Sequence, residues 1–328
     1  MTTVGAGPVL LYGPTPLNMK HLILAHATDA HAQHMLAALQ QRGHAAYLLE
    51  THKFPSEIQI SLAPHNGSGS LRLAGGEQID FDDIASVYWR NFCGVTAESS
   101  RATRGSMADI AYYDSMACLR SWFQLRNRTL WLNSWEAYQS HQEKPWQLQR
   151  VAQLGVKVPR TYVGNDAAQI LAFCRAEPQA IFKPVYGGAH TERITEKHLA
   201  GEHLARALTQ APITLQQYID GTNIRTYAVG GQLFSVELQS GDIDFRSDRG
   251  LQVQTLATPP HIAQQVQAIM PALSLNWTAI DWRRTPAGEY YFLEANPSPM
   301  FIGMEQLSGL PLTETLIAAM TGEAPLLP

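Results

Sequence analysis

The chain has no long apolar run and only three cysteines among its 328 residues. No stretch approaches the ~18 consecutive apolar residues that suggest a membrane-spanning helix, so we expect no membrane segment. Cys93, Cys118 and Cys174 lie far apart and form no Cys-x-x-Cys pair, which indicates a reducing compartment. Residues 1–18 lack a basic start and do not resemble a signal peptide. We therefore expect a cytoplasmic protein.

Excess charge and a dinucleotide fingerprint are also missing. A net charge of −4 gives no general attraction to nucleic acid or to an anionic membrane, so we expect neither as a partner. The turn after the first predicted strand contains no glycine, which argues against a Gly-x-Gly-x-x-Gly nucleotide site there. The histidine pairs His31/His34 and His198/His203 have no carboxylate or cysteine at ligand spacing, and we expect them on solvated helix faces.

What the chain does have is a distinctive stretch from residue 276 to 301. Residues 278–284 are β-branched and aromatic, Thr285-Pro-Ala-Gly288 is a turn signal, and residues 289–294 read as a second strand. With residues 285–288 as the loop, Asp281 is predicted to lie opposite Phe292. Glu294 is then a diagonal neighbour of Asp281 on the same face, roughly 7–8 Å away.

Asp281, Glu294 and Asn296 form a set of oxygen ligands without histidine or cysteine. Such a set suits Mg²⁺, which usually binds together with substrate phosphates. An isolated acidic pair on a hairpin is more often simply solvated. Here the run Asn296-Pro-Ser-Pro ends the strand where oxygen ligands would be wanted, and this favours the metal site.

The Glu294-Ala-Asn296 motif resembles the ATP-grasp ligases, in which the last core strand ends in Glu-x-Asn. The resemblance implies that Glu294 and Asn296 hold one or two Mg²⁺ ions on ATP and that Asp281 completes the metal site. The continuation from Asn296 through Gly309 is also similar to the glutamate ligase that modifies a ribosomal protein.

The front of the chain predicts a strand at residues 21–26, a helix over 30–41 capped by Thr28 or Asp29, and a strand at 45–49. This order is typical of a parallel α/β sheet. The segments 26–29, 49–55, 84–90 and 131–133 resemble the front domain of the microviridin-type (graspetide) peptide ligases, a subgroup of ATP-grasp enzymes. That family usually has a second arginine after Trp89-Arg90, where this chain has Asn91.

The fold class implied is α/β, an ATP-grasp fold with an amino-terminal α/β pre-ATP-grasp domain. We expect a flexible tail at residues 1–18 and the pre-ATP-grasp domain at 19–127. The central ATP-grasp subdomain is expected at 128–218 and the carboxyl-terminal subdomain at 219–328.

The resemblance also implies residues that bind the ATP phosphates. Lys144 opens a predicted helix, where a lysine works against the helix dipole and so has another reason to be there. It corresponds to the first phosphate lysine. Lys183 ends an apolar strand, and Gly187 and Gly188 follow in a loop whose backbone can approach phosphate oxygens.

The segment from residue 213 to 219 matches the hinge that binds adenine in the ATP-grasp fold. Its backbone is expected to hydrogen-bond the base, and Asp220 to reach the ribose. Many relatives have glutamate where Gln217 stands, and an amide carbonyl can still accept from an adenine amine. The ATP-binding set is completed by the hinge residues Gln216, Gln217, Tyr218 and Ile219.

Residues 222–238 predict a hairpin with a Gly230-Gly231 turn. Arg225 lies on its first strand, and Arg246 follows the second in a segment similar to that of the ribosomal-protein ligase. Bidentate arginines suit an acyl-phosphate site, so both are the candidate catalytic residues. No side chain stands out as the general base.

Three functions remain open. The chain could be a peptide ligase that forms side-chain ester or amide links in a ribosomally made precursor, with leader and core as the partner. It could be an amino-acid ligase that joins glutamate or another small acid to an amine. It could also be an ATP-binding scaffold without turnover. Either ligase would use ATP and Mg²⁺ and proceed through an acyl phosphate, and a homodimer is compatible with each.

Overall fold

The first sheet is parallel and comes from the amino-terminal part of the chain. The computed structural model describes residues 19–96, 104–125, 129–186, 191–240 and 250–323. The strand order is β2-β1-β6-β7, with every neighbouring pair parallel. The strands are β1 (Lys20–Leu24), β2 (Ala45–Leu49), β6 (Ile84–Trp89) and β7 (Leu130–Leu132). Most of β1 and β6 is buried, as expected for parallel strands that are covered on both faces.

Two helices cover opposite faces of this sheet. Helix α1 (Ala30–Gln41) packs on the face that carries Ile23, whereas α2 (Met107–Gln124) packs on the face that carries Leu22. The Asp29 carboxylate accepts the Ala32 N–H at 2.9 Å and caps α1, which confirms the predicted cap. The chain can leave the helix sharply because Gly43 adopts a φ of 83°.

A small antiparallel sheet extends the front domain. Its order is β3-β4-β5, and a turn at Gly75-Gly76 joins its last two strands. The strands are β3 (Gln59–Ala63), β4 (Ser68–Arg72) and β5 (Gln78–Asp80). Leu71 and Ile79, fully buried, attach this sheet to the core beneath α2.

The middle of the chain forms a second four-stranded sheet in the order β10-β9-β11-β8. Three helices accompany it, with a core built on Ile170, Leu204 and Leu215. The helical stretch that follows Thr195 is divided in two at Ala200. These elements are β8 (Thr161–Gly164), α5 (Ala167–Ala176), β9 (Ile181–Pro184), β10 (Glu192–Arg193), α6 (Glu196–Leu199), α7 (Gly201–Leu208) and β11 (Ile213–Gln216).

The third large sheet is antiparallel, with the order β14-β13-β12-β15-β16. Its first hairpin has the predicted Gly230-Gly231 turn, and both glycines have positive φ. The strands are β12 (Thr222–Val229), β13 (Gln232–Gln239), β14 (Gln252–Leu256), β15 (Trp277–Arg284) and β16 (Tyr290–Asn296). The helices are α3 (Trp135–Gln142), α4 (Lys144–Gln153), α8 (Pro260–Ala272), α9 (Ile302–Ser308) and α10 (Leu312–Thr321).

The two faces of this sheet have different partners. Ile280, Trp282 and Phe292 point into a core formed with α3, α4 and α8. On the other face, Tyr227 and Ala279 join a core shared with α1 and α10, which ties the front domain to the sheet. The remainder of that second face borders a cleft.

The predicted register of the last hairpin is wrong. Asp281 does not lie opposite Phe292, because the loop is one residue longer and the pairing resumes at Arg284 with Tyr290. The register then shifts again between Asp281 and Trp282, so that Trp282 faces Phe292 and Asp281 faces Glu294 directly. The extra residue in this β-bulge is Leu293.

His31 and His34 are not on a solvated helix face, so that expectation is also wrong. The Nε2 of His31 accepts the backbone N–H of Phe301 at 3.0 Å and that of Ile302 at 3.3 Å. The Nε2 of His34 shares a 2.8 Å hydrogen bond with the hydroxyl of Thr313. Both histidines therefore fasten the front domain to the segment that follows β16.

The division into subdomains stays a proposal. Strand β7 follows the proposed boundary at 127/128 and yet lies in the first sheet, while α3 and α4 pack on the five-stranded sheet. We therefore propose units 19–127, 128–218 and 219–328 in which the start of the second contributes to its neighbours. The tail proposed for residues 1–18 lies outside the described residues. Along the described ranges, no helix is long and apolar enough to cross a membrane.

Acid should destabilise the fold through His21. Burial, and secondarily His44, lowers the pKa of His21 from 6.5 to about 4, and its Nδ1 lies 2.8 Å from the Ser86 hydroxyl. The unfolded chain takes up this proton near pH 6.5 and the folded chain only near pH 4, so stability falls as the pH drops through this window. At pH 5 this histidine alone should cost about 2 kcal/mol relative to pH 8.

Chemical unfolding of the wild type and of His21→Gln at pH 8 and pH 5 measures this effect. We expect the variant to lose less stability between the two pH values than the wild type. His203→Gln, at an exposed position of α7, is the matched control and should behave like the wild type. Equal pH dependence in wild type and His21→Gln would refute the assignment.

Candidate active site

The centre of the candidate site is the bulge on β16. Phe292 and Ala295 both point into the core, whereas the two residues between them, Leu293 and Glu294, are not part of that core, and Leu293 lines a cleft. Glu294 is directly opposite Asp281, and Cβ atoms at such positions are about 4.5–5.5 Å apart. The two residues are therefore closer than the sequence predicted.

Arg225 forms an ion pair with the first of these carboxylates. Its Nε donates to Asp281 Oδ1 at 2.7 Å and its Nη2 to Oδ2 at 2.8 Å, in the bidentate geometry that guanidinium favours. Both side chains are only 15% exposed. Burial acts to lower the pKa of Arg225, but the Asp281 carboxylate raises it above its usual range. The guanidinium therefore stays charged.

Two lysines face the second carboxylate. Lys144, the first residue of α4, donates from Nζ to Glu294 Oε2 at 2.6 Å. Burial acts to raise the pKa of Glu294, but Lys144, then Lys183 and His141, hold it at about 2. Glu294 is therefore ionised at any pH near neutrality and presents an anionic oxygen to a cation.

Asn296 ends β16 two residues after Glu294. Its Oδ1 accepts the backbone N–H of Ser298 at 2.9 Å, and its carbonyl oxygen accepts the Thr278 hydroxyl at 2.8 Å. The first contact fixes the direction of the side-chain amide, and the second holds the backbone. The structure therefore brings together the predicted ligands Asp281, Glu294 and Asn296 at one end of the hairpin.

The sequence reasoning missed residues that hold β16 in place. The side-chain amide of Gln147 donates to the Ala295 carbonyl at 3.0 Å and accepts the Ala295 N–H at 2.8 Å. His141 Nδ1 donates to the same carbonyl at 3.2 Å. The Asn133 amide donates to the carbonyls of Trp277 and Pro297, both at 2.6 Å. A glutamine on the apolar face of α4 and an asparagine directly after an apolar strand are the signals that could have indicated them.

A cleft of ≈ 450 Å³ lies between the second four-stranded sheet and the five-stranded sheet. Its walls come from both sheets and include most of the predicted hinge. The lining residues are Ile181, Lys183, Thr191, Gln216, Gln217, Tyr218, Ile219, Asn223, Arg283 and Leu293.

The hinge is held by contacts that the sequence did not indicate. Arg193 lies 4.2 Å above the Tyr218 ring, and Arg283 lies 5.7 Å from it. Arg283 Nε also donates to the Ile219 carbonyl at 3.1 Å. Asp220 has an exposed side chain at the end of this segment.

The two glutamines of the hinge have protein partners. Gln216 is buried, and its amide bridges Lys183 Nζ at 3.1 Å and the Thr161 hydroxyl at 3.0 Å. The Oε1 of Gln217 accepts the backbone N–H of Arg160 at 3.2 Å. Gln216 therefore orients Lys183 in this structure, and a contact of either glutamine with adenine stays a prediction.

Three predicted site residues lie outside the described residues, namely Gly187, Gly188 and Arg246. Within the described ranges, no group of three or more His, Cys, Asp or Glu side chains could hold a metal ion. The predicted ligand set, two carboxylates and an amide, is not a group of that kind and stays a prediction.

The candidate site is thus a cleft between two sheets, with lysines and opposed carboxylates at one end. The "MvdD pre-ATP grasp domain" family matches residues 20–139. These findings, together with the ATP-grasp relatives described next, show an ATP-grasp fold with a pre-ATP-grasp domain at the amino terminus. They confirm the predicted fold class.

The relatives include a probable glutamate ligase, an ATP-grasp ligase and a macrocyclase. The probable alpha-L-glutamate ligase 1 of Shewanella oneidensis is 27% identical over 318 residues, which cover 91% of this chain and 94% of the relative. The ATP-grasp ligase PsnB, complexed with minimal precursor, Mg and ADP, is 25% identical with a TM-score of 0.75, covering 92% and 98%. The macrocyclase MdnC of Microcystis aeruginosa MRC, bound with precursor peptide MdnA, shares the fold at 22% identity, with a TM-score of 0.77 and coverage of 92% and 99%.

The Arg225–Asp281 pair should make a measurable contribution to stability. We expect Arg225→Met to lower the free energy of unfolding by about 3 kcal/mol, because it leaves a largely buried carboxylate uncompensated. Arg225→Met combined with Asp281→Leu should be more stable than the sum of the two single changes implies. Urea unfolding of all four proteins measures the coupling. Strict additivity would show that the pair is not coupled.

Proposed function

We propose that this ATP-grasp ligase uses ATP and Mg²⁺ to activate a side-chain carboxylate of a ribosomally synthesised precursor peptide. The acyl phosphate formed would be captured by a hydroxyl or amine of the same peptide, giving an ester or amide crosslink. The observation that carries the ligase chemistry is the directly opposed pair Asp281 and Glu294, with Lys144 and Lys183 beside it at the end of the cleft. A cytoplasmic location is part of the proposal.

The donor set fits Mg²⁺. Asp281, Glu294 and Asn296 offer hard oxygen ligands on one hairpin, and Glu294 is ionised at neutral pH. Bound Mg²⁺ would neutralise charge on the ATP phosphates. A metal ion bound by Asp281 would share this carboxylate with Arg225, which already donates to both of its oxygens.

The lysines and the cleft supply positioning and charge. Lys144 and Lys183 would contact the phosphates, with Gly187 and Gly188 in the loop that covers them. The hinge residues 216–219 would hold adenine and Asp220 the ribose. In the first step a carboxylate oxygen attacks the γ-phosphorus and ADP leaves. Catalysis of this step rests on geometry and electrostatics rather than on covalent chemistry by the protein.

In the second step a hydroxyl or amine attacks the acyl carbon and phosphate leaves, so each bond formed removes one water from the peptide. A tetrahedral oxyanion develops on the way. We propose that Arg246 stabilises this oxyanion. Arg225, close to the metal ligands, would orient Asp281 and contribute positive charge.

Two observations support a peptide as the substrate. The front domain matches the MvdD pre-ATP-grasp family, and two structural relatives are complexed with precursor peptides. A leader that binds away from the reacting atoms raises the local concentration of the core segment. The partner proposed is therefore a leader plus a core peptide.

A second candidate function is an amino-acid ligase that joins glutamate, or another small acid, to an amine. The specific observation in its favour is the 27% identity with the probable alpha-L-glutamate ligase over 91% of this chain.

Mass spectrometry of peptides incubated with the enzyme, ATP and Mg²⁺ separates the two candidates. The precursor peptide should lose the mass of one water for each bond formed. A leader fragment added in trans should speed modification of a leaderless core peptide, whereas free glutamate with a simple amine should give little product. Efficient ligation of free amino acids, with no response to any leader, would establish the second candidate instead.

Glu294→Gln should lower kcat by about 100-fold or more, because the metal and its charge compensation are weakened. Its circular dichroism spectrum should match that of the wild type, since the change is isosteric. Steady-state ATP turnover at saturating substrate measures the effect.

Glu289→Gln is the matched control for this substitution. Glu289 lies just before β16 and pairs with Lys157 at the surface, away from the cleft. It should keep wild-type turnover. Full activity in Glu294→Gln would remove the metal assignment.

A further inference from the structure

Arg90 lies at the end of β6 in the front domain and reaches across to the loop that follows β16. Its Nη1 donates to the Ser298 carbonyl at 2.5 Å and to the Ser298 hydroxyl at 2.9 Å. The same hydroxyl donates to the Arg90 carbonyl at 2.6 Å. Ser298 is therefore held by both the side chain and the backbone of one residue.

The guanidinium of Arg90 is itself held in position. Its Nε donates to the two Asp29 oxygens at 3.2 and 3.1 Å. Asn91 Nδ2 donates to Asp29 Oδ2 at 3.0 Å, and the Ala32 N–H at the start of α1 binds Asp29 Oδ1 at 2.9 Å. Asp29 is thus fixed from three directions, and it fixes Arg90.

Ser298 passes this constraint to a proposed metal ligand. Its backbone N–H donates to Asn296 Oδ1 at 2.9 Å, so the direction of the Asn296 amide depends on where Ser298 lies. Asn133 holds the intervening Pro297 carbonyl from the other side at 2.6 Å. Arg90 and Asn133, which both precede the ATP-grasp sheets in the chain, therefore hold the segment from 296 to 298 in place.

Burial argues against contact of Arg90 with a substrate. The residue is 9% exposed, and its Nε and Nη1 are engaged by protein oxygens. In this chain Asn91 contributes to the same network through Asp29. Arg90 and its neighbour thus belong to one structural connection between domains.

The geometry points to Arg90 as a positioning residue that, through Ser298, sets the orientation of Asn296 toward the metal. The front domain thereby becomes part of the metal site without supplying a ligand to it. This inference rests on the proposed function, specifically on Asn296 as a ligand. Residues that orient metal ligands typically affect metal affinity by about 10- to 100-fold.

Binding of Mn²⁺ in the presence of ADP, measured by electron paramagnetic resonance, tests this role directly. Arg90→Gln should weaken Mn²⁺ binding about 10-fold and raise the Mg²⁺ concentration needed for half-maximal turnover to a similar extent. Its metal-free affinity for ADP should not change.

The Mn²⁺ affinity of Arg90→Lys should lie between those of Arg90→Gln and the wild type, because an ammonium cannot reproduce the planar fork that spans Asp29 and Ser298. Ser298→Ala, which removes the hydroxyl contacts alone, should weaken Mn²⁺ binding in the same direction and decides the matter if Arg90→Gln does not fold.

Arg42→Gln is the matched control. Arg42 also links the front domain to the carboxyl-terminal part of the chain, through Glu314 on α10, but it does not contact the loop. It should bind Mn²⁺ like the wild type, and an equal loss in Arg42→Gln and Arg90→Gln would overturn the inference in favour of general loosening.

Glu294→Gln separates this inference from the proposed function. If Glu294→Gln keeps wild-type Mn²⁺ affinity, the metal site itself is wrong. If Glu294→Gln loses Mn²⁺ while folded Arg90→Gln and Ser298→Ala bind it normally, the positioning role alone is wrong.

Discussion

Carboxylates on directly opposed residues of neighbouring strands repel each other, and the arrangement of Asp281 and Glu294 depends on cations that offset this repulsion. At about 5 Å and an effective dielectric constant of 20, two such charges repel by about 3 kcal/mol. Arg225 neutralises the first carboxylate, and Lys144, with Lys183 nearby, neutralises the second. Each carboxylate therefore has a cationic partner before any ligand enters. A divalent cation and the phosphates that accompany it would redistribute these partners rather than introduce an uncompensated charge.

The position of this pair depends on contacts from distant parts of the chain. Strand β16 lies at the edge of its sheet and pairs with one strand, β15. Gln147 binds both backbone groups of Ala295, and Asn133 donates to the Pro297 carbonyl in the segment that follows. The front domain contributes Arg90 on Ser298. The chemical groups are thus held by residues far apart in the sequence, and the geometry of the site is a property of the folded chain.

Much of this arrangement could be predicted because its signals are local. The Gly230-Gly231 turn, the cap at Asp29 and the approximate extent of β15 and β16 follow from turn chemistry and from alternation over a few residues. Lys144 was conspicuous because its charge opposes the dipole of the helix that it begins. Its partner, Glu294, is 150 positions away, and neither local pattern nor composition identifies such a pair.

The register and the long-range contacts could not be predicted in the same way. The extra loop residue and the bulge at Leu293 depend on how Phe292 and Ala295 pack into the core. Sequence alternation treats every residue as one step and so placed Asp281 opposite the wrong partner. His31 was expected to face solvent because helical spacing reveals a face but not what covers it. Its acceptor role depends on the N–H groups of Phe301 and Ile302, some 270 residues further along.

The contacts along the free side of β16 also limit how a peptide can approach. An exposed strand edge is a ready template for an incoming strand, both for productive recognition and for unwanted self-association. Here the Gln147 amide already binds the backbone N–H and carbonyl of Ala295, and the Lys157 carbonyl accepts the N–H of Phe292 at 2.8 Å. An extended peptide therefore cannot add to this edge by main-chain pairing at either position. The strand that carries the acidic residues is shielded from the binding mode that would distort it.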